Sequence, residues 1–419
     1  NGHIYTRGQR LAFDTWAQMG NRGWSYADVL PYFMRSERRI GDGDDTYRGR
    51  DGELAITDID NTDTICDAFI DGVVNMGIPR SEDYNGGVQE GVGYFQRTIY
   101  KGRRMSAARA FLYPARGRKN LNIRTEVQVT RILFEGQRAV GVEYRRGNAL
   151  HEIRANKEVL LSAGAIASPQ ILQVSGIGNP THLAEIGAPV IQAREGVGEN
   201  LSDHYGVRLA ARVRNARTLN ERTRGLALVG EVAKYLIARK GVLAQSPGVA
   251  LALCKSRPSL EHPDLQVIFA PASYKEDAAY QLDDFPGMTI GSWPMRPESR
   301  GFVRARSSET GDKPEIQPNY LEAEADQRLI VDSTRLARQM IRTPELAHWF
   351  ESETTPGDRL QSDDELLGYA REHGTTIFHL MGTCKMGPVH DAGAVVSDEL
   401  KVHGLEGLRV VDASVIPTS

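Results

Sequence analysis

The chain has 419 residues, a formal charge of −3 from 51 basic and 54 acidic residues, and 40% hydrophobic residues. This length predicts two domains, or one large core with an insert. A net charge this small gives no electrostatic reason to bind nucleic acid. The sequence contains no apolar run of about 18 residues, so we expect no membrane-spanning helix. The cysteines, Cys66, Cys254 and Cys384, lie far apart without a CxxC pair, so we expect free thiols and no metal site.

The first half of the chain predicts a capped helix, a hairpin and a buried strand. Ser25 begins the segment SYADVLPYFMRSERR, and Asp28 follows at the capping-box spacing. In TRILFEGQRAVGVEYR, β-branched runs flank Gly136 and predict a β-hairpin. EVLLSAGA is typical of a buried parallel strand before a ligand-facing turn. SPQILQVSGIG then predicts a helix with Ser168 as its N-cap and Gly176 at its end.

The second half predicts more strands and one long helix. HPDLQVIFAPASY and GFVRARS predict strands of a second sheet, and EAEADQRLIVDSTRLARQMI predicts an amphipathic helix. LRVVDASVIP predicts a short buried strand that ends at Asp412. The patterns near the two ends of the chain predict parts of one sheet of the nucleotide-binding type. The middle of the chain predicts a separate domain with its own sheet. We therefore expect an α/β (α+β) fold.

The decapeptide FHLMGTCKMG, residues 378–387, holds the strongest candidates for chemistry. His379 suits a general base, although the residues alone favour a buried histidine bonded to the backbone. Cys384 suits a buried thiol better than a nucleophile, and Lys385 a packing or surface role. Asp412 either receives a ribose hydroxyl or caps the next turn. GIGNPTHLAEIG and GVGENL match the glycine fingerprint of dinucleotide-binding proteins only in part, so these residues alone indicate no cofactor.

Taken in order, several segments resemble the glucose–methanol–choline (GMC) family of flavin oxidoreductases along nearly the whole chain. They are NGHIYTRG, GNRGWSYADVLPYFMRSE, GAIASPQILQVSGIG, VGENLSDH, RPESRGFVRARS, PNYL, FHLMGTCKMG and LKVHGLEGLRVVDASVIPTS. The resemblance implies a Rossmann-like FAD-binding domain from residues 1–205 and 378–419. It also implies a substrate-binding domain from residues 206–377, built on a mostly antiparallel sheet with helices.

The resemblance also implies a cofactor, FAD, and roles for individual residues. His379 matches the catalytic histidine, which takes the alcohol proton while hydride passes to flavin N5. The cofactor-binding residues implied are Asn1, Gly2, Ile4, Val129, Ala163, Gly164, Asp412 and Ala413. The family's glycine fingerprint and a second catalytic histidine or asparagine have no match here, so we expect the natural chain to continue beyond both ends.

The implied reaction is oxidation of a primary alcohol to an aldehyde, with electrons passed to a quinone or dye-type acceptor. The alternatives are an alcohol oxidase that uses O₂, a non-oxidative lyase such as a hydroxynitrile lyase, and a non-enzymatic remnant. Val249 stands where a glutamate is usual in choline-oxidising members, which favours an uncharged alcohol over choline. The location is open, with a cytoplasmic or peripherally membrane-associated protein expected.

Overall fold

The computed structural model describes residues 2–60, 62–246, 248–275 and 281–419. Within them the α-helices are α1 Arg10–Gln18, α2 Tyr26–Ser36, α3 Thr64–Asn75, α4 Tyr113–Ala115, α5 Gly164–Val174, α6 Pro180–Glu185, α7 Leu219–Arg222, α8 Gly225–Ala238, α9 Glu324–Ile341 and α10 Asp363–His373. A π-helical turn spans Ala108–Leu112, and 3₁₀ turns span Val242–Ala244, Pro344–Leu346 and Ala413–Val415. None of the helices in the described ranges has the length and apolarity that a membrane crossing requires.

The strands alternate with these helices. They are β1 Glu37–Ile40, β2 Leu54–Thr57, β3 Gly91–Tyr94, β4 Ile99–Tyr100, β5 Arg103–Arg104, β6 Gln128–Glu135, β7 Arg138–Arg146, β8 Ala149–Arg154, β9 Val159–Leu161, β10 Ile177–Gly178, β11 Gln192–Ala193, β12 Tyr205–Val213, β13 Ala250–Cys254, β14 Leu265–Ala270, β15 Gly287–Pro294, β16 Phe302–Arg304, β17 Glu315–Gln317, β18 Phe350–Thr355, β19 Thr375–Thr376 and β20 Leu408–Val410.

The largest sheet runs in the order β18-β12-β15-β14-β13-β3, with β19 pairing to β12. Neighbouring strands in this order pair antiparallel. Every residue of β15 is buried, as expected for a central strand covered on both faces. α3 and α9 supply the apolar core on one face, where Phe69 stacks on Phe269 with ring centroids 4.4 Å apart.

A second core lies under the antiparallel sheet β6-β7-β8 and the parallel pair β9–β20. α5 leaves the carboxyl end of β9 and packs beside β6, where Ser175 Oγ accepts a hydrogen bond from the Ile132 amide at 2.9 Å. The expectation of a mixed α/β fold with a mostly antiparallel sheet is confirmed. The predicted parallel strand in EVLLSAGA is β9, and its partner is the strand predicted in LRVVDASVIP.

Several local predictions are confirmed because short-range signals decide them. α2 has the capping box of Ser25 and Asp28, and Gly136 turns the β6–β7 hairpin with a φ of +59°. The long amphipathic helix is α9. The strand in GFVRARS, however, is β16, which pairs with β17 in a separate two-stranded sheet.

The predicted start of α5 was wrong. The helix begins at Gly164, four residues before Ser168, and Pro169 lies inside it. Ser168 Oγ instead accepts from the Ala163 amide at 3.0 Å and donates to Asp412 at 2.6 Å. Because the Asp412 carboxylate satisfies the first amide of the helix, that of Gly164, a local side-chain N-cap is not needed there.

The division into two domains stays a prediction. The large sheet, however, contains strands from both predicted domains. β3 and α3 belong to residues 1–205, yet β3 pairs with β13 and α3 packs in the same core. The large sheet therefore recruits segments from the part of the chain that was assigned to the FAD-binding domain.

Candidate active site

His379 lies on a segment that pairs with the chain around Asp203. β19 pairs antiparallel with Tyr205 and Gly206 at the start of β12. Three residues beyond β19 the His379 amide donates to Asp203 Oδ1 at 2.8 Å, and Met381 exchanges two backbone hydrogen bonds with Ser202. These bonds hold the two segments side by side, although about 175 residues of chain separate them.

This pairing brings two histidine rings together. His204 Nδ1 and His379 Nδ1 are 2.9 Å apart, and the rings meet edge to face with centroids 5.1 Å apart. The other nitrogen of His204, Nε2, is 2.9 Å from the backbone oxygen of Met295. The contacts thus form a chain from Met295 through His204 to His379.

The direction of hydrogen bonding along this chain follows from its first member. A carbonyl oxygen only accepts, so Nε2 of His204 carries the proton. In neutral His204, Nδ1 is then an acceptor, and Nδ1 of His379 must donate to it. That leaves Nε2 of neutral His379 without a proton and with a free lone pair. The arrangement therefore selects the tautomer of His379 that acts as a base through Nε2.

Electrostatics keep both rings neutral. Desolvation lowers the pKa of His379, with the charge of Asp203 acting in the opposite direction. Burial, reinforced by the nearby charge of His379, lowers the pKa of His204 to about 4. Because a neutral imidazole is the form that takes a proton, His379 is prepared as a base at neutral pH.

Asp203 fixes the backbone of this site through a fully engaged carboxylate. It is 5% exposed, and its Oδ2 accepts from the hydroxyls of Tyr320 and Thr376, each at 2.5 Å. Oδ1 accepts from the His379 amide. One buried carboxylate thus accepts three hydrogen bonds from two segments of the chain.

We therefore expect Asp203→Ala to destabilise the fold by about 1–3 kcal/mol, because the His379 amide and the two hydroxyls lose their buried acceptor. Thermal unfolding measures this loss. Asp71→Ala is the matched control, since Asp71 is half-exposed and its ion pair with Arg80 lies on the surface, where such pairs contribute little. Equal stability of the two variants would contradict the assigned role of Asp203.

Four of the implied cofactor residues lie together at the carboxyl ends of β9 and β20. Asp412 Oδ2 accepts from the Gly164 amide at 2.9 Å, and Oδ1 accepts from the Ser414 amide at 2.8 Å. The carboxylate thus caps the next turn, the second of the two roles considered for it. Ala163 precedes Gly164, and Ala413 follows Asp412.

The turn that follows β20 is hydrogen-bonded to the segment that carries His379. The Gly382 amide donates to the Ala413 carbonyl at 3.2 Å, and the Cys384 amide donates to the Ser414 carbonyl at 2.8 Å. A short stretch of backbone therefore links the candidate base to the nucleotide-type edge of the sheet.

These residues fit the ADP part of FAD. Gly164 has a φ of +89°, and no atom lies within 4 Å of the point where a Cβ would stand, so the turn is open to a ligand. The carboxyl ends of parallel strands are where nucleotide cofactors bind in α/β sheets. Asp412, whose oxygens are engaged by the protein, would hold this turn in place.

The remaining implied residues lie on other elements. Gly2 is held through its carbonyl, which accepts from Ser246 Oγ at 2.7 Å, and Ile4 forms a β-bridge with Arg97. Val129 lies on β6, and its carbonyl accepts from Thr310 Oγ1 at 3.1 Å. Asn1 lies outside the described residues. The structure thus brings the four residues around Asp412 together, and all of the cofactor-binding assignments stay predictions.

The alternative chemistry of the decapeptide does not fit its surroundings. Cys384 is fully buried, and burial raises the pKa of its thiol, so a nucleophilic thiolate is disfavoured. Lys385 forms an ion pair with Asp391 at 2.8 Å. Val249 is 4% exposed within the core of the large sheet.

Sequence reasoning missed His204. It lies in VGENLSDH, one of the segments that carried the resemblance, but nothing local marks it as a partner of His379. The available sequence signal was a histidine directly after an aspartate, Asp203, which the structure shows to be buried. Its role becomes visible only through the pairing of residues 202–206 with 375–381.

Comparison with known proteins agrees with the fold and with the family resemblance. A family model described as GMC oxidoreductase matches residues 1–206 with its N-terminal part and residues 297–419 with its C-terminal part. Oxygen-dependent choline dehydrogenase 1 of Chromohalobacter salexigens is 41% identical over 423 residues, covering 100% of this chain and 75% of that protein. Oxygen-dependent choline dehydrogenase of Brucella ovis is 39% identical over 419 residues, with the same coverage.

Solved structures share the fold. Pyridoxine 4-oxidase from Mesorbium loti superposes with a TM-score of 0.87 at 29% identity, over 100% of this chain and 78% of that chain. A formate oxidase gives a TM-score of 0.91 over the same shares, and its 23% identity supports the fold alone. With its family-model matches and its identity to whole-chain relatives, the chain belongs to the GMC oxidoreductase family and is an FAD-dependent oxidoreductase that acts on CH–OH donors.

Proposed function

We propose that this protein oxidises a primary alcohol to an aldehyde, with Nε2 of His379 as the base that takes the hydroxyl proton. The observation that carries the proposal is the contact chain from the Met295 carbonyl through His204 to His379. It leaves a lone pair on Nε2 and directs the Nδ1 proton into the protein. A base positioned in this way is what loss of hydride from a carbinol carbon requires.

His379 acts in two steps that its own contacts explain. The neutral ring accepts the alcohol proton on Nε2 as the alkoxide develops. The resulting imidazolium donates from Nδ1 to His204, whose neutral ring accepts without adding a charge. Asp203, which receives the His379 amide, holds the ring in place and offers a compensating negative charge.

FAD, when bound, would supply the acceptor for the hydride. Ala163, Gly164 and Ala413 would contact its ADP part, with Asp412 holding their turn. By the family resemblance, Gly2 and Ile4 would lie against the flavin and Val129 would meet the adenine.

The substrate we propose is an uncharged aliphatic or aromatic primary alcohol. The carboxylate whose charge acts on His379 is Asp203, and its oxygens are already engaged by three donors. Val249 is apolar and buried, so it offers no charge to a quaternary ammonium group. Choline is the second candidate, because whole-chain relatives 39–41% identical are named choline dehydrogenases.

Anaerobic flavin reduction by the holoenzyme separates these possibilities. We expect benzyl alcohol or a short aliphatic alcohol to bleach the flavin with a higher kcat/KM than choline. A preference for choline would replace the uncharged alcohol by the second candidate. A flavin that stays oxidised with every alcohol would contradict alcohol oxidation and favour a lyase of the same fold.

For the electron acceptor we propose a quinone or a dye-type compound. Turnover is measured once with a soluble quinone under nitrogen and once in air with peroxide detection. We expect the quinone to support turnover without O₂. Peroxide formed in a one-to-one ratio with aldehyde, together with no quinone reduction, would assign the protein as an oxidase.

A further inference from the structure

Helix α8 presents its apolar side to solvent and its polar side to the protein. Leu226 and Ile237 are 90% and 86% exposed, and Val229 and Leu236 are also exposed. These residues follow the spacing of one helical face. Not one residue of α8 is buried, so the face is the reverse of what packing on a core would produce.

The side of α8 that faces the protein is held by polar contacts, beside the half-buried Leu228. Glu231 accepts from Arg222 at 3.1 Å and from the Val242 amide at 3.0 Å. The Tyr235 hydroxyl donates to the Gly102 carbonyl at 3.2 Å. These bonds fix the orientation of the helix and leave its apolar stripe unpartnered in the described part of the chain.

A basic cluster lies at the C-terminal end of this stripe. Gly102 packs against Arg239, which brings the β4–β5 hairpin to the end of α8. The cluster consists of Lys101, Arg103 and Arg104 from the hairpin and Lys234, Arg239 and Lys240 from the helix end. Lys234 lies close enough to Glu231 to act on its charge. Among the described residues none of the six forms an ion pair, so the cluster as a whole keeps a net positive charge.

An apolar stripe bordered by unpaired cations matches an anionic lipid surface. Helices that lie in a membrane interface bury such a stripe among acyl chains, while lysine and arginine contact acidic headgroups. A second copy of the chain fits less well, because a two-fold interface on this stripe would bring identical basic clusters towards each other.

We propose that α8 and the basic cluster dock the protein on membranes that contain anionic lipid. The apolar stripe enters the interface, and the cluster supplies the electrostatic attraction. This property goes beyond the proposed oxidation and does not depend on it. Docking would also bring lipid close to residues 242–246, the segment that holds Gly2 through Ser246.

Vesicle flotation of the holoenzyme tests this proposal. We expect binding to vesicles of phosphatidylglycerol and phosphatidylcholine, weaker binding at high salt, and little binding to phosphatidylcholine alone. The double variant Leu226→Gln/Ile237→Gln should lower partitioning about tenfold, since it removes the most exposed apolar contacts. Arg103→Gln/Arg104→Gln should remove the dependence on anionic lipid.

Two controls make the result specific. Val389→Gln changes a side chain that is 68% exposed elsewhere, and Arg146→Gln changes an exposed cation on another sheet. Both should bind like the unaltered protein, and circular dichroism checks that every variant is folded. Absence of vesicle binding, or equal binding by all variants, would overturn the proposal. So would a dimer that the α8 variant converts to monomers, because a second copy would then cover the stripe.

Discussion

His379→Ala in the holoenzyme is expected to lower kcat for alcohol oxidation by about 10²- to 10⁴-fold, the range that a positioned general base contributes. Flavin should remain bound, because the nucleotide-type edge at Gly164 and Asp412 is held by its own hydrogen bonds. Single-turnover flavin reduction under anaerobic conditions measures the loss directly, and the absorbance of the flavin reports its retention.

His390→Ala is the matched control for this variant. His390 is an exposed histidine eleven positions further along the chain, and we expect its replacement to leave kcat unchanged. Loss of flavin from His379→Ala with the turnover per bound flavin preserved would mean that His379 supports the cofactor site and not the chemistry.

His204→Leu is expected to lower kcat by about 10- to 100-fold, since a hydrogen bond to a charged group contributes about 1.5–3 kcal/mol. The bond to the His379 imidazolium forms only as the proton is transferred, so KM should change little. The variant also leaves the tautomer of His379 unspecified. His204 is thus a positioning residue, and a pH profile distinguishes this role from simple packing.

The profile is expected to shift in a definite direction. Without the acceptor on His204, the imidazolium of His379 is less stable, and the ascending limb of kcat moves to lower pH. His204→Asn should restore much of kcat, because an Asn side-chain oxygen near the position of Nδ1 accepts the same proton. Equal loss in both variants, with the limb unmoved, would assign His204 to packing alone.

Sequence patterns predicted the elements whose signals are local. The capping box of Ser25 and the turn at Gly136 each depend on a few neighbouring residues, and both were found as expected. The start of α5 was mispredicted because its first amide, that of Gly164, is satisfied by Asp412, which lies 248 positions away. A local pattern carries no information about such a partner.

The candidate site likewise combines a residue that the sequence indicated with residues that only the folded structure brings together. The family resemblance pointed to His379, and the structure adds the contacts that leave its Nε2 atom with a lone pair. His204 and the Met295 carbonyl reach it only through pairing of segments distant in the chain. Asp412 likewise had two open interpretations, and only its contacts with Gly164, Ser168 and Ser414 favour the structural one.

The most direct test is the pH dependence of the flavin reduction rate, measured anaerobically with a saturating primary alcohol. Since desolvation lowers the pKa of His379 below its ordinary value of 6.5, the rate should rise with pH through a limb below 6.5. It should then stay level, because the neutral ring predominates at higher pH. The limb should be absent from His379→Ala. A limb of the same position and amplitude in that variant would contradict a base role for His379.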